Sequence, residues 1–261
     1  MTKAAGAWAG RPIGDRVVSY TEWDAILYAL AVGAPADRLD LVFEDQFRVM
    51  PTFGLTLAQW APDVLAAEGA WDNTSVHGSQ KLTVHKEMPR HGEVSMGARV
   101  GNVWDKGSAS IFEIEVTCEY FTATWSIFAP NTGGWGGERG AKAEPAVREG
   151  EGDVLTYPVA LNSAALYRLT GDRHHIHIDP AAAARIGQEK PILQGLATIA
   201  GALIPLADAA GKHPADLVEL EGRFSGMVIP GDTLQIRTWG ESFDIERDGT
   251  VVIAGGKAAF A

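Results

Sequence analysis

The 261-residue sequence has a single cysteine, Cys118, so no disulfide can form within the chain. It stands in Ile-Glu-Val-Thr-Cys-Glu-Tyr-Phe, which alternates as a strand does and predicts a buried structural thiol rather than a nucleophile. Basic residues are scarce: 22 Lys and Arg against 33 Asp and Glu leave a formal net charge of -11. That balance argues against general binding to nucleic acid or anionic membranes, although a local basic patch would suffice for an anionic small molecule. Long apolar runs are missing too. The best, Gly195 to Ala210, is too short and too interrupted by Gly201 and Pro205 to span a bilayer. No terminal stretch reads as a secretory signal, and the expected location is cytoplasmic. The run Gly133-Gly-Trp-Gly-Gly137 lacks the Lys-Ser/Thr end and the following helix of a phosphate loop.

What the chain does have is 46% hydrophobic residues, ample for a packed core, and one stretch dense in chemistry. Tyr167-Arg-Leu-Thr-Gly-Asp-Arg-His-His-Ile-His-Ile-Asp-Pro180 places Asp172 five residues before His177. The loop is too polar and too Gly/Pro-bounded for helix or core strand. Upstream, Leu161 to Leu169 reads as a short helix capped by Asn162 or Ser163 and stopped by Gly171. Downstream, Pro180 to Arg185 reads as a second short helix with Asp179 as its N-cap. A loop pinned at both ends can hold a carboxylate and an imidazole at working distance, where they can pass protons through a shared water. Gly195 opens the apolar run to Ala210, which fits a buried central helix. In the first turn its N–H has no partner within the helix and carries the positive end of the dipole, which suits a developing oxyanion.

The pattern Y-R-L-T-G-D-R-x-x-I-H-I-D-P followed by Pro191-Ile-Leu-Gln-Gly-Leu-Ala-Thr198 resembles the hydratase 2 motif of the MaoC-like (R)-specific enoyl-CoA hydratases. The resemblance implies a hotdog fold, with Asp172 and His177 on the catalytic pair and Gly195 on the thioester-binding glycine. His174 stands where that family has Asn, His175 where it has Pro, and Gln194 where it has His. His174 and Gln194 are accordingly expected at the substrate. The implied reaction is the hydration of a trans-2-enoyl thioester to the (R)-3-hydroxyacyl thioester, or the reverse, with acyl-CoA as substrate and neither cofactor nor metal.

The organisation is double. Glu22 to Gly33 repeats the shape of Leu161 to Gly171, setting Tyr28 opposite Tyr167 and Leu30 opposite Leu169. Pro51-Thr-Phe-Gly54 repeats Pro191-Ile-Leu-Gln-Gly195 and opens another apolar helix through about Ala67, and the paired landmarks lie about 140 residues apart. Strand-like runs follow each helix: Lys81 to Met88, Glu93 to Trp104, Ala109 to Tyr120 and Phe121 to Ala129, then Leu217 to Ile229, Thr233 to Trp239, Glu241 to Ile245 and Thr250 to Ala259. Residues 1–19 read as a surface strand or arm. The fold class expected is α+β, a double hotdog of two antiparallel sheets each wrapped around a central apolar helix. Its parts are a non-catalytic acyl-pocket repeat (1–130), a Gly-rich linker (131–153) and a catalytic repeat (154–261). Gly33 to Asp40 holds no histidine at the catalytic position, so one site per chain is expected. The family reading adds that Arg139 and Lys142 of the linker are candidates for CoA phosphates. A homodimer is the expected assembly.

Two other readings compete. His175-Ile-His177-Ile-Asp179 is an H-x-H-x-D run of the kind seen in metallo-β-lactamase-like zinc hydrolases, but the remaining histidines (His77, His85, His91 and His213) show no partner motif. The other is a hydration-inactive acyl-thioester binding or partner subunit that keeps the pocket but has lost the full constellation at 174 and 194.

Overall fold

In the computed structural model, which describes residues 4–141 and 148–261, a single helical turn (Ala5–Trp8) leads into strand β1 (Pro12–Tyr20), so the expected arm is a strand. Thr21 and Asp24 cap each other's backbone N–H groups to start α1 (Glu22–Ala31). A one-turn helix, α2 (Leu39–Val42), follows. The apolar helix expected through about Ala67 is divided at Gln59 into α3 (Phe53–Ala58) and α4 (Trp60–Ala67). Pro62 accounts for the break, since it has no N–H to give the Ala58 carbonyl. Four strands complete this half: β2 (Val76–Val84), β3 (Gly92–Asp105), β4 (Ala109–Thr117) and β5 (Phe121–Pro130). Strand β2 begins and ends earlier than its alternation suggests. Cys118 lies just past β4 and is half-buried, with its thiol pushed up by burial.

The second half opens with β6 (Asp153–Pro158), a strand that no local pattern predicts. Then come α5 (Ser163–Tyr167), α6 (Pro180–Arg185), α7 (Gly195–Ala209), β7 (Leu217–Phe224), β8 (Thr233–Trp239), β9 (Ser242–Arg247) and β10 (Thr250–Phe260). All strand pairs are antiparallel, in the order β1-β3-β4-β5-β2-β7-β10-β9-β8-β6. The order is a palindrome of the two halves, joined where β2 meets β7. At that seam Leu82 lies opposite Leu220, and Lys81 reaches Glu219 at 2.8 Å. One continuous sheet thus carries the helices of both halves.

Helix α7 is buried along nearly its whole length. Gly201 is required within it, because a side chain there would collide with the Tyr157 ring and the Val32 carbonyl. Tyr28 of α1 and Tyr167 of α5 are buried against each other, ring centroids 6.0 Å apart. The first-half counterpart of the Asp172–Asp179 stretch is an ion-pair cluster. Arg38 binds Asp40 at 2.8 Å and Asp208, at the end of α7, at 3.0 Å.

The glycine-rich run after β5 is pinned rather than loose. The N–H groups of Gly107, Gly134 and Gly136 each donate to the Asp105 carboxylate at 2.8 Å, and Gly137 adds a longer one at 3.4 Å. The backbone thus forms an anion nest filled by the chain's own side chain. These donors lower the Asp105 pKa from 3.8 to about 2. A carboxyl whose folded pKa is depressed adds stability that is complete above its ordinary value and is lost as pH falls toward the folded one. Asp105→Asn should therefore lower the melting temperature by several degrees at pH 7, and the deficit should shrink as pH is taken from 4 toward 2. Calorimetry across that range checks it; a deficit independent of pH would contradict the nest.

Candidate active site

The local sequence sets the loop between α5 and α6. Gly171 adopts φ 150°, a backbone region open to glycine, and turns the chain out of the helix. Asn162 occupies the N-cap position of α5 without a side-chain bond, whereas Asp179 accepts from Ala181 N and Pro180 takes the first position of α6. Between these ends the loop contains one tight turn, His175–His177, which the sequence alone does not suggest. Asp172 Oδ1 accepts from the His174 N–H at 3.1 Å, which fixes its carboxylate at the loop's entry.

His177 is buried, 8% exposed, and its Nδ1 lies 2.8 Å from the Ile192 carbonyl. The carbonyl can only accept, so Nδ1 carries the proton and Nε2 presents a lone pair. Nε2 faces Asp172 Oδ2 at 3.7 Å, too long for a direct hydrogen bond and short enough for both to contact one water. Burial lowers the His177 pKa, and the Asp172 charge opposes this in part. The imidazole is thus held neutral.

Ile192 also ties this pair to α7. Its N–H donates to the Ile176 carbonyl at 3.1 Å while its carbonyl holds His177, and three residues later the chain enters the helix. Gly195 is the first helical residue, is partly exposed among buried neighbours, and its N–H has no hydrogen-bond partner among the described residues. The ring of Phe224 lies over it: a Cβ at Gly195 would come within 2.8 Å of that ring. His77 of β2 packs against Phe224, ring centroids 4.6 Å apart, and burial lowers its pKa to about 4. Nothing in the sequence marks Phe224 or His77 as part of a site. They meet only through the β2–β7 register, which no local pattern encodes.

The two substituted positions expected at the substrate behave differently. His174 is exposed, with its ring 6.1 Å from that of His177, and its Nδ1 accepts from the Ile176 N–H at 3.4 Å. That is a local cap an asparagine side chain could also make. Gln194 is only 1% exposed, and its Nε2 donates to the Ala164 carbonyl at 3.3 Å. Arg139 sits exposed by the β3–β4 turn, where its carbonyl accepts from Lys106 Nζ, and Lys142 lies outside the described residues. No three His, Cys, Asp or Glu side chains among the described residues gather as a metal site. A cleft of about 460 Å³ adjoins the loop at Thr170 and Gly171, walled by Leu57, Trp60 and Asp63.

This combination of a doubled antiparallel sheet and buried helix defines a double-hotdog protein. Comparison with known proteins places it further. The MaoC like domain model matches residues 144–259, and that of the MFE-2 hydratase 2 N-terminal domain matches 18–129. The enoyl-CoA hydratase ChsH3 of Mycobacterium tuberculosis is 32% identical over 262 residues, covering 91% of this chain and 92% of that one. Mouse peroxisomal multifunctional enzyme type 2 is 38% identical over 244 residues, 85% of this chain but 33% of that longer protein, so the chain spans about a third of it. Among solved structures, a MaoC-like dehydratase from Phytophthora capsici superposes with TM-score 0.85 at 24% identity over 96% of each chain. A Mycobacterium tuberculosis protein with a double hotdog fold superposes with TM-score 0.61 at 14% identity, over 97% of this chain and 96% of that one. The chain belongs to the MaoC-like hydratase 2 family.

The site geometry makes a prediction independent of any reaction. In a nitrogen-15 NMR titration His177 should appear as the Nδ1–H tautomer and protonate with a midpoint below the ordinary 6.5. A midpoint at or above 6.5, or the other tautomer, would contradict the arrangement.

Proposed function

We propose that this protein hydrates a trans-2-enoyl thioester, carried on CoA, to the (R)-3-hydroxyacyl thioester, or catalyses the reverse dehydration. The observation that carries the reading is the pairing of His177 Nε2 with Asp172 Oδ2 at 3.7 Å, linked through Ile192 to a helix whose first N–H is free among the described residues. The Gly195 N–H donates to the thioester oxygen, which draws electron density from C3 and stabilises the enolate that follows. One water sits between Asp172 and His177. Its oxygen bonds to C3 as its proton passes to the unprotonated Nε2, and Asp172 stabilises the resulting imidazolium. The same proton then returns to C2, so one water is consumed and the pair is regenerated. Dehydration runs through these steps in reverse.

The family models cover 18–129 and 144–259, which supports a division of the chain near 130 into an acyl-pocket half (1–130) and a catalytic half (154–261), although the second model begins within the 131–153 stretch read as linker. The cleft beside Gly171, walled largely by first-half residues, supports that division of labour. A cytosolic homodimer completes the proposal.

Asp172→Asn and His177→Ala should each reduce hydration of crotonyl-CoA by about 10²-fold or more without loss of the fold. Chiral analysis of the product should give the (R) alcohol. Unchanged rates in either variant would refute the pair, and a purified wild type that binds acyl-CoA without turnover would mark a hydration-inactive partner subunit. Gly195→Ala, whose methyl meets the Phe224 ring, should cost at least about tenfold in turnover.

A further inference from the structure

Tyr28 Oη, Thr52 Oγ1, Tyr167 Oη and Gln194 Oε1 are buried and make no well-formed hydrogen bond among the described residues, although Thr52 lies near enough to act on the Tyr28 hydroxyl as a hydrogen-bonding partner. None of the four residues is more than 1% exposed. The two tyrosine rings are packed together, and Thr52 faces the Tyr28 hydroxyl. Gln194 is tied to the helix that carries Tyr167, because Nε2 donates to the carbonyl of Ala164, one turn before Tyr167 on α5. Buried polar groups in native proteins are almost always satisfied, so these atoms call for an explanation. Their chemistry is complementary. Three are hydroxyls that can donate, and the fourth is a carbonyl oxygen that can only accept. Burial raises both tyrosine pKa values, so these hydroxyls keep their protons.

Gln194 has a further property. The peptide bond it shares with Gly195 supplies the N–H assigned above to the thioester oxygen, so the setting of Gln194 sets the aim of that donor. We propose that the hydroxyls of Tyr28, Thr52 and Tyr167 grip Gln194 Oε1, directly by rotation or through one enclosed water, and so hold the 194–195 peptide in line with the substrate carbonyl. Gln194 and Tyr167 are positioning residues in this arrangement, and Tyr28 and Thr52 bring the first half of the chain into control of the oxyanion donor. Glutamine offers the same pair of functions as a neutral imidazole, one N–H, here given to Ala164, and one acceptor, left for the hydroxyls in this arrangement. The role of the donor rests on the hydratase reading; the grip on Gln194 does not.

The test is a cycle of Tyr167→Phe, Gln194→Met and the double variant, read by crotonyl-CoA kinetics and by melting temperature. Each single change should lower kcat about tenfold with KM within about twofold, because the misaimed donor matters most when charge develops. The double variant should be no worse than Gln194→Met, since the network is broken once. Gln194→His should recover most of the turnover that Met loses, which filling space alone would not do. Wild-type kcat in both single variants, or losses that multiply in the double, would overturn the proposal. If the wild type itself shows no hydration, the reaction is misassigned and the cycle is read from melting temperatures alone: non-additive losses uphold the grip, and additive ones remove it. Should Tyr167→Phe fail to fold, Tyr28→Phe with Gln194→Met carries the same cycle.

Discussion

The contact on which the site depends is that of Ile192 with the Asp172–His177 loop. Its carbonyl takes the proton of His177 Nδ1 and its N–H goes to the Ile176 carbonyl. One residue thereby sets the tautomer of the imidazole, the side from which Nε2 faces Asp172, and the place where the chain turns into α7. Buried charge-free imidazoles need such a partner, because a ring free to choose its tautomer would present a donor as often as an acceptor. The same backbone segment delivers the Gly195 N–H. The proposed acid/base pair and oxyanion donor are thus spaced by one short run of backbone rather than by the docking of separate domains.

The palindromic sheet gives each half the same parts, and the two copies use them differently. Where the second copy carries Asp172 and His177, the first carries Arg38 and Asp40, and Arg38 also binds Asp208 at the far end of α7. In the proposed reaction one copy of the loop works on a water, while the other fastens a helix. The central helix of the first copy, broken at Gln59, contrasts with the unbroken and deeply buried α7, which holds its N-terminus against Phe224. Rigidity at that end is useful, since a donor that need not reorganise stabilises an oxyanion better than one that must.

Much of this is legible in the sequence. The all-round apolar character of 195–209 marks the buried helix, the Asp179-Pro180 pair marks the start of α6, and the repeated Leu-Tyr motif sets Tyr28 opposite Tyr167, which the structure packs together. The spacing of Asp172 and His177 points to a pair, and their side chains do face each other. What stays hidden depends on distant parts of the chain. Phe224 and His77 meet only across the β2–β7 seam, and the burial of Gln194 depends on the approach of α5. The glycines of 133–137 read as a linker because their partner, Asp105, lies 29 residues before Gly134. Strand ends are hard to place for a similar reason: alternation in β2 and β7 continues past the point where neighbours are available to pair.

The central claim is that one thioester touches both the Gly195 amide and the Asp172–His177 pair. A crystal structure of the Asp172→Asn variant soaked with a trans-2-enoyl-CoA measures this directly. The account predicts the thioester oxygen within hydrogen-bond distance of the Gly195 nitrogen and C3 within reach of a water held by His177 and the amide introduced at position 172. A thioester bound with its carbonyl away from Gly195, or with C3 remote from that pair, would contradict it.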